Sequence, residues 1–452
     1  MKKNKIIIIA VVLIIAAGIG IYPVLNKKGF KAENMNTLKI YSEEQQGGGE
    51  APILKSIIDE FKNKYPSIKI EKVVFNDPQK YNQKLLSDTL SGSGPDILFF
   101  NTNYVNEKTL EKSDVLTDLE PFFKGDSKNY NMNVINSGVY KNKLLVLPID
   151  YSVSGYLSTK QLMDKNNIKL DKSMNEDNFI EEISSKFSNT SKNSKRTLFA
   201  YPIKITDFIA SSGIDFIDYE NKKVYFDKKE FKNIIDNYKK IYNLTPKAES
   251  FSGNSGEEGV EALQNGKTLF SDDEAVLSYP LGLLQSQSKI KALTGEDVVI
   301  GTMPTYNRGQ NEIIAKVEDC MAINKKTSNK KAAYNFIKIA LSQKAQKNIN
   351  SIPVNKIMSE NIKNNYLKQF NGKDSIVLSD PSGSEKVTLI KPSNEIEKYY
   401  DDVTGNISEA KIIDPTIEKL MMESFKPYFE NKKSYDEALE VLQDKVKLYI
   451  NE

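Results

Sequence analysis

The sequence predicts an α/β fold in two lobes, on three observations. Helical and strand periodicities alternate through the N-terminal third, the pattern of a largely parallel sheet covered by helices. The chain has 452 residues, too many for one ordinary core and suited to two units of about 200 residues. Its single cysteine, Cys320 in the apolar run CMAI, excludes an internal disulfide, so packing must stabilise both units.

In chain order, Ile6 to Leu25 comes first, twenty uncharged and mostly apolar positions after Lys2, Lys3 and Lys5. That is enough for a helix to cross ~30 Å of hydrocarbon, whereas a cleaved signal has an apolar core of about 7–15 residues. Residues 1–32 therefore read as an N-terminal membrane anchor, with a signal peptide as the alternative, and the body lies outside the membrane. Leu38 to Tyr41 reads as a strand and Gln45 to Gly49 as a Gly-rich loop. Ile53, Leu54, Ile57, Ile58 and Phe61 recur on one helical face, and Tyr65-Pro66 stops that helix. IKIEKVVF, Ile68 to Phe75, alternates as a half-buried strand does.

A second helix carries Tyr81, Leu85, Leu86 and Leu90, and DILFF, Asp96 to Phe100, is a short buried strand. Between them Ser91-Gly92-Ser93-Gly94 precedes a strand instead of opening a helix, so it reads as a turn and not a phosphate cradle. Leu144 to Ser158 is apolar, broken by Pro148, small residues and tyrosines. Helix-rich sequence runs to about Tyr242, followed by a Gly/Ser/Glu loop, Ser250 to Gly259. Ala332, Ala333, Phe336, Ile337, Ala340 and Leu341 form another helical stripe, and Asn371 to Ser384 reads as a polar surface loop. Ser434 and Glu437 have capping-box spacing before a final helix.

Composition narrows the chemistry. The formal charge is only +3, from 63 basic and 60 acidic residues mixed along the chain, which gives no nucleic-acid footprint. With no histidine, Ser-His-Asp and Cys-His catalysis and His-ligated zinc are excluded. Gly266-Lys267-Thr268 ends like a Walker motif, but Glu261 stands where its first glycine belongs. Asp272, Asp273 and Glu274 read as solvated acids before they read as calcium ligands. No enzyme activity, metal or cofactor is expected.

The order of strand, Gly-rich loop, FKNKYPSIKIE (Phe61 to Glu71) and LLSDTLSGSGPDILFFN (Leu85 to Asn101) resembles the extracellular solute-binding proteins of family 1, the maltose-binding-protein-like receptors of bacterial ABC importers. The resemblance covers nearly all of the chain after the first thirty or so residues. ALQNGKTLFSDDEAVLSYPLGLL is similar to the family's helix, Gly-Lys turn, strand and acidic loop in the second lobe. The implied architecture is a type II periplasmic-binding-protein-like fold, mostly parallel sheets flanked by helices, with an inter-lobe ligand cleft. Residues 36–149 and 318–350 would form lobe 1, and 150–317 and 351–452 lobe 2, with crossings near Asp150, Val317 and Pro353. The implied function is capture of a small polar solute, foremost a saccharide, for ABC permease subunits; the alternative is a membrane-anchored sensor or adaptor working with a sensor kinase. A monomer is expected. Gram-positive relatives carry a lipidated cysteine after the signal, and this chain has none there, which leaves residues 6–25 as the tether.

Such a cleft takes polar groups from strand-end loops and aromatic faces from its walls. The candidates are Glu44, Gln45 and Gln46 after the first strand; Phe100, Asn101, Asn103 and Tyr104 around the end of DILFF; Asp150, Tyr151, Ser154 and Tyr156 at the first crossing; and Asp272, Asp273 and Tyr279 in the second lobe. Taken singly, each also has a structural reading, since Asn and Asp cap helices and Tyr packs. Stacking tryptophans of the maltose-binding-protein-like group fall at Phe100 and near Val276. This chain has no tryptophan, so a saccharide is implied but a maltodextrin is not.

Overall fold

In a computed structural model of the chain, the described residues are 37–43, 51–123, 127–191, 196–247, 257–272, 274–307, 309–347, 349, 351–379 and 386–451. The expected span Ile6 to Leu25 and the loop Gln45 to Gly49 lie outside them. Among the described residues no helix is long and apolar enough to cross a membrane. Asn36–Glu452 forms one compact unit.

The principal strands are β1 (Thr37–Glu43), β2 (Lys69–Phe75), β3 (Ile97–Asn101), β4 (Leu147–Pro148), β5 (Asp150–Val153), β6 (Gly155–Thr159), β7 (Thr197–Phe199), β8 (Thr268–Phe270), β9 (Val298–Thr302), β10 (Ile313–Val317), β11 (Asp319–Ile323), β12 (Ile352–Pro353), β13 (Ser375–Ser379), β14 (Lys386–Ile390) and β15 (Ile407–Lys411). The first sheet has the order β2-β1-β3-β11-β4, and a bridging sheet the order β12-β5-β10-β15. In the second lobe β7 pairs with β8 and β6 with β9. Leu157 and Ser271 exchange backbone bonds of 2.8 Å that join these two pairs.

The first lobe is built by local rules. Helix α1 (Pro52–Lys64) starts on a proline and buries Ile53, Leu54, Ile57, Ile58 and Phe61; at Tyr65 the chain turns out, its N–H bonded to the Phe61 carbonyl at 2.8 Å. The ring of Phe61 packs 5.3 Å from Phe336 in the helix Lys330–Ala340. Helix α2 (Pro78–Ser91) is capped by Asp77, whose side chain accepts from the N–H groups of Gln79 and Lys80, satisfying orphan donors of its first turn. It ends at Gly92, φ +82°, a conformation that suits glycine. The Asp96 carboxylate then accepts from Lys39 N at 2.8 Å, fixing β3 against β1.

The expected predominance of parallel strands is corrected. β1 is parallel to β2 and β3, but β11 runs antiparallel to both β3 and β4, and β5–β10 and β6–β9 are also antiparallel. A βα unit returns to the far edge of the sheet before each new strand, so successive strands run the same way. A strand that comes back from the other lobe enters at the opposite end and runs against them. Asn371 to Ser384 is also corrected over its described part, residues 380–384 lying outside the described set. Residues 375–379 form β13, which pairs with β14 and puts Ile376 opposite Leu389; Leu389 is fully buried with Leu284 and Phe370.

The second lobe's core is aromatic, with Phe179, Phe187, Phe199, Phe231, Phe270 and Phe425 buried together. The capping box forms as expected: Glu437 accepts from the Ser434 N–H at 2.8 Å while Ser434 Oγ accepts from the Glu437 N–H at 3.2 Å. The helix it opens, Tyr435–Asn451, buries Ala438, Leu442, Val446 and Ile450.

Candidate functional site

The chain leaves the first sheet at Pro148, joins the bridging sheet at Asp150, returns across Glu318 and comes back again before Ile352. A cleft of about 500 Å³ opens at these passages. Its floor carries Asp150, Ser152, Ser154, Lys316, Glu318, Asp319 and Ser351. Asn103, Pro52 and Ile53 line it beside the first sheet, and Phe199, Tyr201, Lys204, Asp207, Phe208, Asp272 and Met303 line the second-lobe wall.

The floor is a continuous polar network. Asn103 Nδ2 donates to Asn101 Oδ1 at 3.0 Å and to Glu318 Oε2 at 3.1 Å, and Ser152 Oγ donates to Glu318 Oε1 at 2.6 Å. Lys316 Nζ stands 3.3 Å from carboxylate oxygens of both Glu318 and Asp207. Asp150 accepts from the Asp319 N–H at 2.8 Å and from the Ser351 hydroxyl, while Asn101 Nδ2 donates to Asp319 at 3.0 Å. Lys204 Nζ donates to Asn103 Oδ1 at 2.9 Å, tying one wall to the other. Burial and then repulsion from Asp319 push the Asp150 carboxyl well above its ordinary range; burial likewise raises Asp319, with Glu318 adding to the rise. Gly155 is required at the edge of the cleft, because a Cβ there would lie 2.6 Å from the Gly301 carbonyl oxygen.

Of the residues expected from sequence, Asn103, Asp150, Ser154 and Asp272 line the cleft, and Asn101 braces its floor through Asp319 and Asn103. Asp272 is not simply solvated, since its Oδ1 accepts from the N–H groups of Ala200 and Tyr201, each at 3.1 Å. Four aromatic candidates are corrected. Phe100 is wholly buried inside the first core. Tyr151 is equally buried, and its hydroxyl donates to the Val403 carbonyl at 3.1 Å. Tyr156 packs between Phe179 and Phe270, accepting from Gln310 at 2.9 Å. The Tyr279 hydroxyl lies 3.3 Å from that of Tyr366, away from the cleft lining. In an extended segment alternate side chains point to opposite sides, and at the first crossing Asp150, Ser152 and Ser154 take the cleft side while Tyr151 and Val153 take the core. Glu44, Gln45, Gln46 and Asp273 lie outside the described residues.

Sequence reading missed Tyr201, Lys204, Asp207, Lys316, Glu318 and Asp319. A signal existed for three of them: in IIAKVEDCMAI, Lys316, Glu318 and Asp319 are the charged residues within an otherwise apolar run at the return crossing. The others sit on loop and helix positions with no distinguishing pattern.

Residues 47–347 match the model of the bacterial extracellular solute-binding protein family. The chain belongs to that family. No curated protein matches the sequence. Among solved structures, this solute-binding protein is similar to the sugar-binding protein MalE from Xanthomonas citri, with a TM-score of 0.64 at 13% identity, covering 92% of this chain and 97% of the other. It is similar also to the cyclic alpha-maltosyl-1,6-maltose binding protein from Arthrobacter globiformis, TM-score 0.62 at 12% identity over 92% and 98%. An ABC substrate-binding protein from Listeria monocytogenes in complex with cycloalternan gives 0.60 at 14% identity over 92% and 99%. These likenesses establish the two-lobed type II binding-protein fold.

Proposed function

We propose that this solute-binding protein is the receptor of an ABC importer, trapping a small polar solute, a saccharide, between its lobes and delivering it unchanged to a membrane permease. The cleft carries this reading: hydrogen-bonding side chains at the passages between lobes lie opposite a wall whose half-buried aromatic ring is Tyr201, backed by the buried Phe199 and Phe208. Hydroxyl-rich ligands need such polar partners, and sugar C–H faces pack on aromatic rings. The named ligands of the Arthrobacter and Listeria proteins support the saccharide class.

Lobe 1 is proposed to comprise residues 36–149 and 318–350, and lobe 2 residues 150–317 and 351–452, moving about the crossings near Asp150, Val317 and Pro353. Ligand drives closure only through its higher affinity for the closed state. Residues 6–25 are proposed to tether a monomeric receptor to the outer face of the cytoplasmic membrane; a cysteine introduced after Lys31 should then react with an impermeant label on intact cells, and reaction only from inside would reverse the topology.

Thermal unfolding against a panel of sugars, polyols, amino acids and short peptides tests the function. A ligand at 100 times its Kd adds about 2.7 kcal/mol, which for a cooperative unit the size of one lobe should raise Tm by roughly 5–10 °C. A shift confined to saccharides supports the proposal; no shift with any saccharide sinks it.

A further inference from the structure

The charges lining the cleft are unequal. Among the described residues, five carboxyl side chains, Asp150, Asp207, Asp272, Glu318 and Asp319, face two ammonium groups, Lys204 and Lys316. The acids come from separate parts of the chain, so the excess is assembled by the fold. Lys316 is already matched by Asp207 and Glu318, each 3.3 Å away, and Asp272 holds two backbone amides.

Asp150 and Asp319 differ from these. They are neighbours, and their partners are neutral: the Asp319 N–H and the Ser351 hydroxyl for one, the Asn101 amide for the other. Among the described residues no lysine or arginine lies within ion-pair distance of either. Adjacent buried carboxylates without a cation must share protons or receive a counter-ion from outside. A bare metal ion fits poorly, since no group of three acids among the described residues is arranged to hold one, and an ion would leave most of the 500 Å³ and the aromatic wall unused.

Resting on the reading of this cleft as the saccharide site, we propose that the preferred solute is an amino sugar whose ammonium group is the missing counter-ion at Asp150 and Asp319, with the carboxylate of the adjoining Glu318 adding to the negative field of the floor. Its hydroxyls meet Asn103, Ser152 and Ser154, and phosphorylated or carboxylated sugars are rejected by the same carboxyls.

Calorimetric titration of the full chain with matched probes tests this: glucosamine, glucose, N-acetylglucosamine and glucose 6-phosphate, the corresponding disaccharides, and spermidine as a cation without a sugar. Amine-bearing sugars should bind at least about tenfold more tightly than their neutral and N-acetylated counterparts, with no binding of the phosphates. Asp319→Asn and Glu318→Gln should each cut the ratio of amine to neutral affinity about tenfold; two variants are used so that misfolding of one leaves the other informative. Equal or tighter binding of neutral sugars, or an unchanged ratio in a folded variant, overturns the proposal but leaves the saccharide receptor standing. Binding of spermidine with no sugar, or of no probe at all, overturns both.

Discussion

Among the described residues, Lys108 and Lys316 each stand between two carboxyl groups, and what surrounds those carboxyls differs. Lys108, in the helix Glu107–Lys112, is 2.9 Å from Glu111 and 3.6 Å from Glu107, and both acidic side chains are fully buried. The residue before that helix, Asn106, donates to Thr416 Oγ1 at 2.9 Å and to the Tyr449 hydroxyl at 2.5 Å. Tyr449 and Tyr219 in turn donate to Asp414 at 2.7 and 3.0 Å. The cluster thus fastens the end of the first lobe to the C-terminal helices. Lys316 faces Asp207 and Glu318, which keep 11% and 19% of their side-chain surface exposed at the cleft. One motif, an ammonium between two acids, holds a junction together where the acids are sealed and shapes a binding floor where they border open space.

The sharpest way to break this comparison is Lys108→Met. It would leave Glu107 and Glu111 buried without their cation, and removing one member of a buried pair costs about 3–5 kcal/mol. Denaturant unfolding should read a loss of that size; a loss under about 1 kcal/mol would make the two clusters equivalent.

The pH dependence comes next. Burial raises the Glu107 carboxyl against the opposing pull of Lys108, and burial raises Glu176 to about 8. A raised carboxyl means that the folded state binds protons more tightly than the unfolded one, so its contribution is complete below the ordinary carboxyl pKa and is lost as pH climbs toward 8. Tm of the ligand-free protein should therefore fall between pH 5 and pH 8, as pH approaches the value for Glu176. Glu107→Gln should flatten that fall, and an unchanged slope in this variant would show that Glu107 ionises freely in the fold.

The two regions were also unequally legible. The first lobe could be read because its signals are local: the stripe Ile53 to Phe61, the stop at Tyr65-Pro66 and the turn through Gly92 each act within a few residues. The antiparallel entry of β11 could not, because strand direction there depends on where the chain had been, not on the residues of β11. The cleft suffered most. Residue type favoured Tyr151 and Tyr156 as ligands, yet side-chain alternation at a crossing decides which neighbour faces solute, and a one-residue shift exchanges Asp150 for Tyr151. Lys204 and Asp207 reach the cleft only through the folding of the second lobe. The charged trio in IIAKVEDCMAI was the one overlooked local signal.

That alternation predicts a smaller effect at Tyr151. Tyr151→Phe removes a buried hydroxyl bonded to Val403 and should cost about 1–2 kcal/mol of stability, with affinity for the solute as in the wild type. A tenfold loss of affinity without loss of stability would return Tyr151 to the binding site.

Lys316→Met should perturb stability least, by about 1 kcal/mol or less, because its acidic partners border the cleft and water can reach them. Its informative readout is selectivity. Removing this ammonium leaves Asp207 and Glu318 without their shared cation, making the floor more negative, so the preference for an amine-bearing over a neutral sugar should rise. Asp319→Asn should move the same ratio the other way. Opposite shifts would show that the charge balance of the floor sets solute choice; shifts in one direction would mean that both substitutions disturb the hydrogen-bond network through Asn101, Asn103 and Ser152 instead.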